Sequence, residues 1–157
     1  MSTATKSLQE QYAPNSICFG CGPANEKGLQ IRSIPNGEEV LLEFTPKSHH
    51  AAFPNVLSGG ICGTLLDCHS NWTAAYHLMK KAGLSEPMCT VTAEYDVKLL
   101  APTPMDKGPL IIKAKVTESG SRSAQVEASL EAGGKVTARC TGTFVNVKEG
   151  HPAYNRW

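Results

Sequence analysis

The most regular pattern in the chain lies between Gly59 and Lys81, where apolar or small residues recur at Ile61, Leu65, Cys68, Trp72, Ala75 and Met79. Those spacings alternate between four and three, which is one continuous helical stripe. Leu66, Tyr76 and Leu78 widen it, so most of this helix is expected to be enclosed. Ser58 stands in the N-cap position, the segment holds no proline, and Lys80-Lys81 with Gly83 just beyond marks its end.

Downstream the period changes to that of extended chain. Four strands are predicted over 89–99, 110–118, 122–131 and 135–147, with Ser119-Gly120-Ser121 and Ala132-Gly133-Gly134 as hairpin turns and Ala101-Pro102-Thr103-Pro104 as a break. Ala124, Val126, Ala128 and Leu130 alternate with Ser123, Gln125, Glu127 and Ser129, the signature of a half-buried strand. Upstream, Pro35-Asn36-Gly37 suggests a hairpin joining strands over 28–33 and 38–44. Residues 1–27 read as a polar arm, with one helical turn around Ser7 to Tyr12 and a Cys-x-x-Cys loop, ahead of a single domain over 28–157. A sheet face needs covering and one long helix is available. The fold class is therefore α+β, an antiparallel β-sheet curled around one long central helix.

At 157 residues the chain is sized for one domain. A formal charge of +1 offers no broad field for nucleic acid or anionic lipid. No window approaches the ~18 apolar residues of a membrane span, and Met1 to Glu10 lacks the apolar run of a secretion signal. These features point to a cytoplasmic protein whose six scattered cysteines serve mainly as small hydrophobes.

Asp67 is the residue that most needs explaining, because a carboxylate in the third turn of an apolar helix is costly to bury unpaired. Gly63, Thr64, Ser70 and Asn71 form a small or polar strip with it. An ordinary explanation is a hydrogen bond to Thr64, Asn71 or a lysine that orders a helix interface. The other is a site. At the helix start, Gly59 and Gly60 present unpaired amides at the positive end of the dipole, where negative charge is favoured.

The order of elements, with Gly59-Gly60-Ile61-Cys62-Gly63-Thr64-Leu65-Leu66-Asp67 opening the helix, resembles the hotdog-fold acyl-CoA thioesterases of the phenylacetate-degradation type. Cys18-Phe19-Gly20-Cys21-Gly22 with Asn25 and Gly28-Leu29, and Leu100-Ala101-Pro102-Thr103-Pro104, are similar to one subgroup of that family. The resemblance implies a hotdog fold, a homodimer or homotetramer, an acyl-CoA substrate and no cofactor. Asp67 would be the base or nucleophile, and Gly59 or Gly60 the oxyanion donor, supplied by the neighbouring chain's helix across a subunit interface. The family commonly has His before the Gly-Gly pair and Asn six residues earlier; here Ser58 and Ala52 stand there. Ser58, Asn55, His49 and His50 are candidate replacements for the carbonyl's polar helper. Thr64 and Asn71 are candidates for substrate contact, and Lys98, Arg122, Lys107 and Lys148 for the phosphates.

Three other groups invite a reading. Cys18 and Cys21 are half of a zinc knuckle; His49, His50 or Cys89 would have to complete it, and the expectation is a packed loop with no metal. Cys68 is expected to pack, and His69 and His77 to be core or interface groups. A non-catalytic module binding acyl-CoA or a similar hydrophobic ligand is the alternative function, and a hydratase with an Asp/His dyad is a weaker one.

Overall fold

The computed structural model describes residues 4–157; Met1, Ser2 and Thr3, the first residues of the expected arm, lie outside them. Ser7 opens a five-residue helix, α1 (Leu8–Tyr12), through a capping box: its hydroxyl accepts from Glu10 N at 3.2 Å, and Glu10 Oε2 accepts from Ser7 N at 2.9 Å. Strands β1 (Ile34–Asn36) and β2 (Glu39–Phe44) follow, then a 3-10 turn over Ser48–His50 and a small hairpin of β3 (Ala51–Phe53) and β4 (Val56–Leu57). The long helix α2 (Gly59–Ala82) comes next, and β5 (Thr90–Leu99), β6 (Leu110–Ser119), β7 (Ser123–Ala132) and β8 (Lys135–Asn146) follow, with a C-terminal tail over 147–157.

Six strands form one antiparallel sheet in the order β1-β2-β6-β7-β8-β5, with α2 packed across β5 to β8. Alternation sets the core: Leu42, Ile112, Val126, Leu130, Ala138 and Phe144 point inward onto Leu65, Leu66, Trp72 and Leu78 of the helix. Helix α2 ends at Gly83, whose φ of +67° suits the left-handed cap that a glycine adopts without Cβ strain.

Two expectations need correction. The strand predicted over 28–33 is absent, because Gln30 takes φ +57° and the segment bonds to the cysteine loop, Leu29 N to Phe19 O at 2.8 Å and Ile31 N to Gly20 O at 3.0 Å. The hairpin instead joins β1 to β2 around Gly37, φ +65°, with Pro35 on an edge strand where its missing N–H costs least. The arm is also less polar in effect than in composition: Leu8, Ala13 and Cys21 belong to the core.

His69 ties arm, helix and sheet together. Its Nε2–H donates to Val40 O at 2.8 Å and its Nδ1 accepts from Ser33 Oγ at 2.8 Å; Ser33 Oγ accepts from Gln9 Nε2 at 2.9 Å, and Gln9 Oε1 accepts from Ser33 N at 2.7 Å. All three side chains are wholly buried. Burial pushes the imidazole down to about 4, which keeps the ring neutral. Ser33→Ala strands a donor on Gln9 and an acceptor on His69, so it should cost about 3 kcal/mol of unfolding free energy in denaturant melts. A loss below about 1 kcal/mol would mean that the chain of bonds is not what fastens the arm.

Candidate active site

Asp67 lies on the face of α2 that meets β5 and is half-buried. Its Oδ1 accepts a 2.6 Å hydrogen bond from Thr92 Oγ1 on β5. Desolvation raises the carboxyl above its ordinary value, while the Thr92 bond and the positive charge of Arg156 work the other way. The expected partners are otherwise engaged: Thr64 Oγ1 donates to Gly60 O at 3.0 Å and Asn71 Nδ2 to Thr90 O at 3.3 Å. No ion pair involves Asp67 among the described residues. Asn71 is buried, so its side chain meets strand β5 rather than an open cleft. Thr92 and Arg156 carry no signal in the sequence, since only the fold brings a strand residue and the C-terminal tail beside the helix.

At the other end of the motif, Ile61 N and Cys62 N both bond to Ser58 O at 3.0 Å, whereas the amides of Gly59 and Gly60 have no backbone acceptor. Ser58 holds the N-cap position but its side chain makes no capping bond. Gly60 is exposed, and the nearest atom that a Cβ there would meet is Ser58 Oγ at 3.7 Å. A largely apolar cavity of about 360 Å³ adjoins this end, lined by Phe53, Leu57, Gly59, Cys62, Leu99 and Leu100 among others. Phe53, Leu99 and Leu100 are each more than half exposed, which is unusual for large apolar side chains that share one patch.

Eight residues at 1.5 Å rise separate Gly59 from Asp67 by about 12 Å along the axis. One small carbonyl cannot touch both within a single chain.

The remaining candidates fall elsewhere. His50 is buried, stacks on Phe44 with ring centroids 5.6 Å apart and accepts from Lys47 N at 3.0 Å; His49 meets it edge-on at 4.4 Å. Both line a separate cavity of about 440 Å³ with Lys27 and Lys47. Asn55 sits at the β3-β4 turn with φ +61°, and its Oδ1 accepts from Met105 N at 3.2 Å. Lys98 pairs with Asp96 at 3.3 Å at one end of β5, while Arg122 donates to Asn146 O at 3.0 Å near the opposite end. One chain therefore does not bring Lys98 and Arg122 to the same phosphate.

The thiols are arranged as the sequence did not suggest. Cys68, on the helix, stands 3.9 Å from Cys18, and the sulfurs of Cys18, Cys21 and Cys68 all lie within 4.8 Å of one another. The third side chain beside Cys18 and Cys21 is thus not His49, His50 or Cys89 but Cys68, the residue next to Asp67.

Comparison with solved structures supports the fold. A thioesterase superfamily protein from Shewanella loihica PV-4 matches with a TM-score of 0.61 and 28% identity, over 80% of this chain and 98% of that one. The chain has the hotdog fold of the thioesterase superfamily. The same hotdog architecture is found in a phenylacetic acid degradation-related protein from Ralstonia eutropha JMP134, with a TM-score of 0.64, 19% identity and coverage of 80% and 92%. It is found again in zebra fish thioesterase superfamily member 2, with a TM-score of 0.62, 18% identity and coverage of 79% and 90%. No protein-family model and no curated protein matches this hotdog chain. Among its described residues no helix is long and apolar enough to cross a membrane.

Proposed function

We propose that the protein is an acyl-CoA thioesterase whose active site forms between two copies of the chain. The observation that carries this reading is a half-buried carboxylate, Asp67, whose one hydrogen bond among the described residues is to a strand hydroxyl, in the same helix as two free amides, of which that of Gly59 lines an apolar cavity. The thioesterase-superfamily neighbours support a thioester substrate. The 12 Å offset between the two groups supports a second copy, laid so that Asp67 of one helix faces the glycine end of the other. The exposed apolar patch of Phe53, Leu99 and Leu100, and the open edge strand β5, favour such a homodimer or a tetramer built from it. Six free cysteines suit a reducing, cytoplasmic setting.

In this reading the thioester carbonyl oxygen accepts from the free Gly60 amide, with Gly59 beside it, and the acyl group enters the apolar cavity. Asp67 takes a proton from water as the water oxygen adds to the carbonyl carbon, and the amide holds the oxyanion. Collapse breaks the C–S bond, and the departing thiolate receives the proton, leaving a carboxylic acid and free CoA. Direct attack by Asp67, giving a mixed anhydride that water then opens, uses the same groups. Asn55, Ser58, His49 and His50 remain candidates for positioning the carbonyl, and Lys98 and Arg122, from different chains, for meeting the phosphates.

The test is release of free thiol from short, long and aromatic acyl-CoA thioesters by the purified protein. Turnover of at least one class supports the reading. Thermal stabilisation by acyl-CoA with no thiol released would assign the chain to the alternative, a non-catalytic binding module.

A further inference from the structure

The cysteine loop is built more tightly than packing requires. Gly22 N donates to Cys18 O at 2.8 Å, closing the Cys18–Gly22 turn, and neither Gly20 nor Gly22 has room for a Cβ: one would strike Cys68 Sγ, the other the backbone of Ser16 to Cys18. Trp72, one helical turn beyond Cys68, donates its indole N–H to Cys21 Sγ at 3.3 Å. Three sulfurs from two separate parts of the chain thus converge, and an indole N–H supports one of them. Bare thiols packed as hydrophobes have no use for such a donor; thiolates do.

We propose that Cys18, Cys21 and Cys68 form a binding site for a soft divalent ion, Zn(II) foremost, with the fourth position open to water or a small solute. A tetrahedral zinc with Zn–S bonds of about 2.3 Å places its sulfurs about 3.8 Å apart. The Cys18 to Cys68 separation of 3.9 Å matches that, and Cys21 needs only a side-chain adjustment, since its sulfur already lies within 4.8 Å of both. Three all-sulfur ligands favour zinc over magnesium or calcium. Loading replaces the thiol protons with the ion, so three thiols release three protons and the tris-thiolate zinc carries a net charge of −1 before its fourth ligand. The site fastens the arm to the third turn of α2, next to Asp67, and it stands independently of the thioesterase reading.

Elemental analysis of the purified full-length chain, followed by chelation and reloading with Co(II), tests it. The expected result is one ion per chain. The cobalt form should show a thiolate-to-metal charge-transfer band and the intense visible bands of a tetrahedral ion. Cys18→Ser and Cys68→Ser should each reduce the bound ion to below about a tenth per chain, while Cys62→Ser, whose thiol faces Thr103 instead, keeps it. Because Cys68→Ser touches the core, the parent chain supplies a second readout: zinc should protect three thiols from a disulfide reagent, and chelation should expose them. A chain that takes up no cobalt, a Cys18→Ser variant that binds as the parent does, or a metal-free chain two hydrogens lighter from a Cys18–Cys68 disulfide would each overturn the site. None of these readouts depends on turnover, so a failed site and a failed thioesterase assignment are told apart.

Discussion

Asp67→Asn is expected to lower kcat/KM for thioester hydrolysis by about 10²- to 10⁴-fold while leaving the fold intact. The substitution conserves shape, and the amide oxygen of an asparagine still accepts from Thr92 Oγ1. What is lost is the capacity to take a proton or to attack the carbonyl. Burial already disfavours the charged form of this carboxyl, so removing the charge should leave thermal stability unchanged or raise it slightly. A fall in rate with no fall in melting temperature separates a catalytic part from a structural one. If the carboxylate merely orders β5 against α2, the rate stays within a few-fold of the parent.

Gly60→Pro is expected to cost about 10²- to 10³-fold, mostly in kcat, by deleting one oxyanion donor. Proline is tolerated in the first turn of a helix, because the N–H it removes has no intrahelical partner there. The Gly60 amide is unpaired, its residue is exposed, and a Cβ would meet nothing closer than 3.7 Å. The helix should therefore survive, as circular dichroism would show, while the oxyanion loses its donor. Substrate binding through the apolar cavity should change far less than turnover. An unchanged kcat would move the oxyanion position away from this amide.

The long helix was legible because its signals are local: the three-four stripe and Gly83 act within a few residues of the boundaries they mark, while Ser58 marks the start by position without a capping bond. Strands β6 to β8 were legible for the same reason, since alternation with short glycine turns is a nearest-neighbour pattern. The segment over 28–33 misled because its alternation of apolar and polar residues is that of a strand, while its actual partners are the carbonyls of Phe19 and Gly20 in the cysteine loop. The hairpin over Ala51 to Leu57 is too short to show a period. In the candidate site, the spacing of Gly59, Gly60 and Asp67 is a property of one helix and could be read directly. The Thr92 hydroxyl, the Arg156 charge and the approach of Cys68 to Cys18 join residues 25 or more positions apart. Such pairings exist only once the sheet has wrapped the helix.

The shared site is the central claim, and mixing the two inactive variants tests it most directly. Asp67→Asn and Gly60→Pro chains, unfolded together and refolded at equal amounts, should form mixed dimers as half of the population. Each mixed dimer then holds one site with an intact Asp67 opposite an intact Gly60. The expected result is recovery of about a quarter of the parent's specific activity, from two preparations that separately have almost none. Activity in the mixture no greater than the mean of the two separate variants, with mixed dimers demonstrated by mass, would contradict the account.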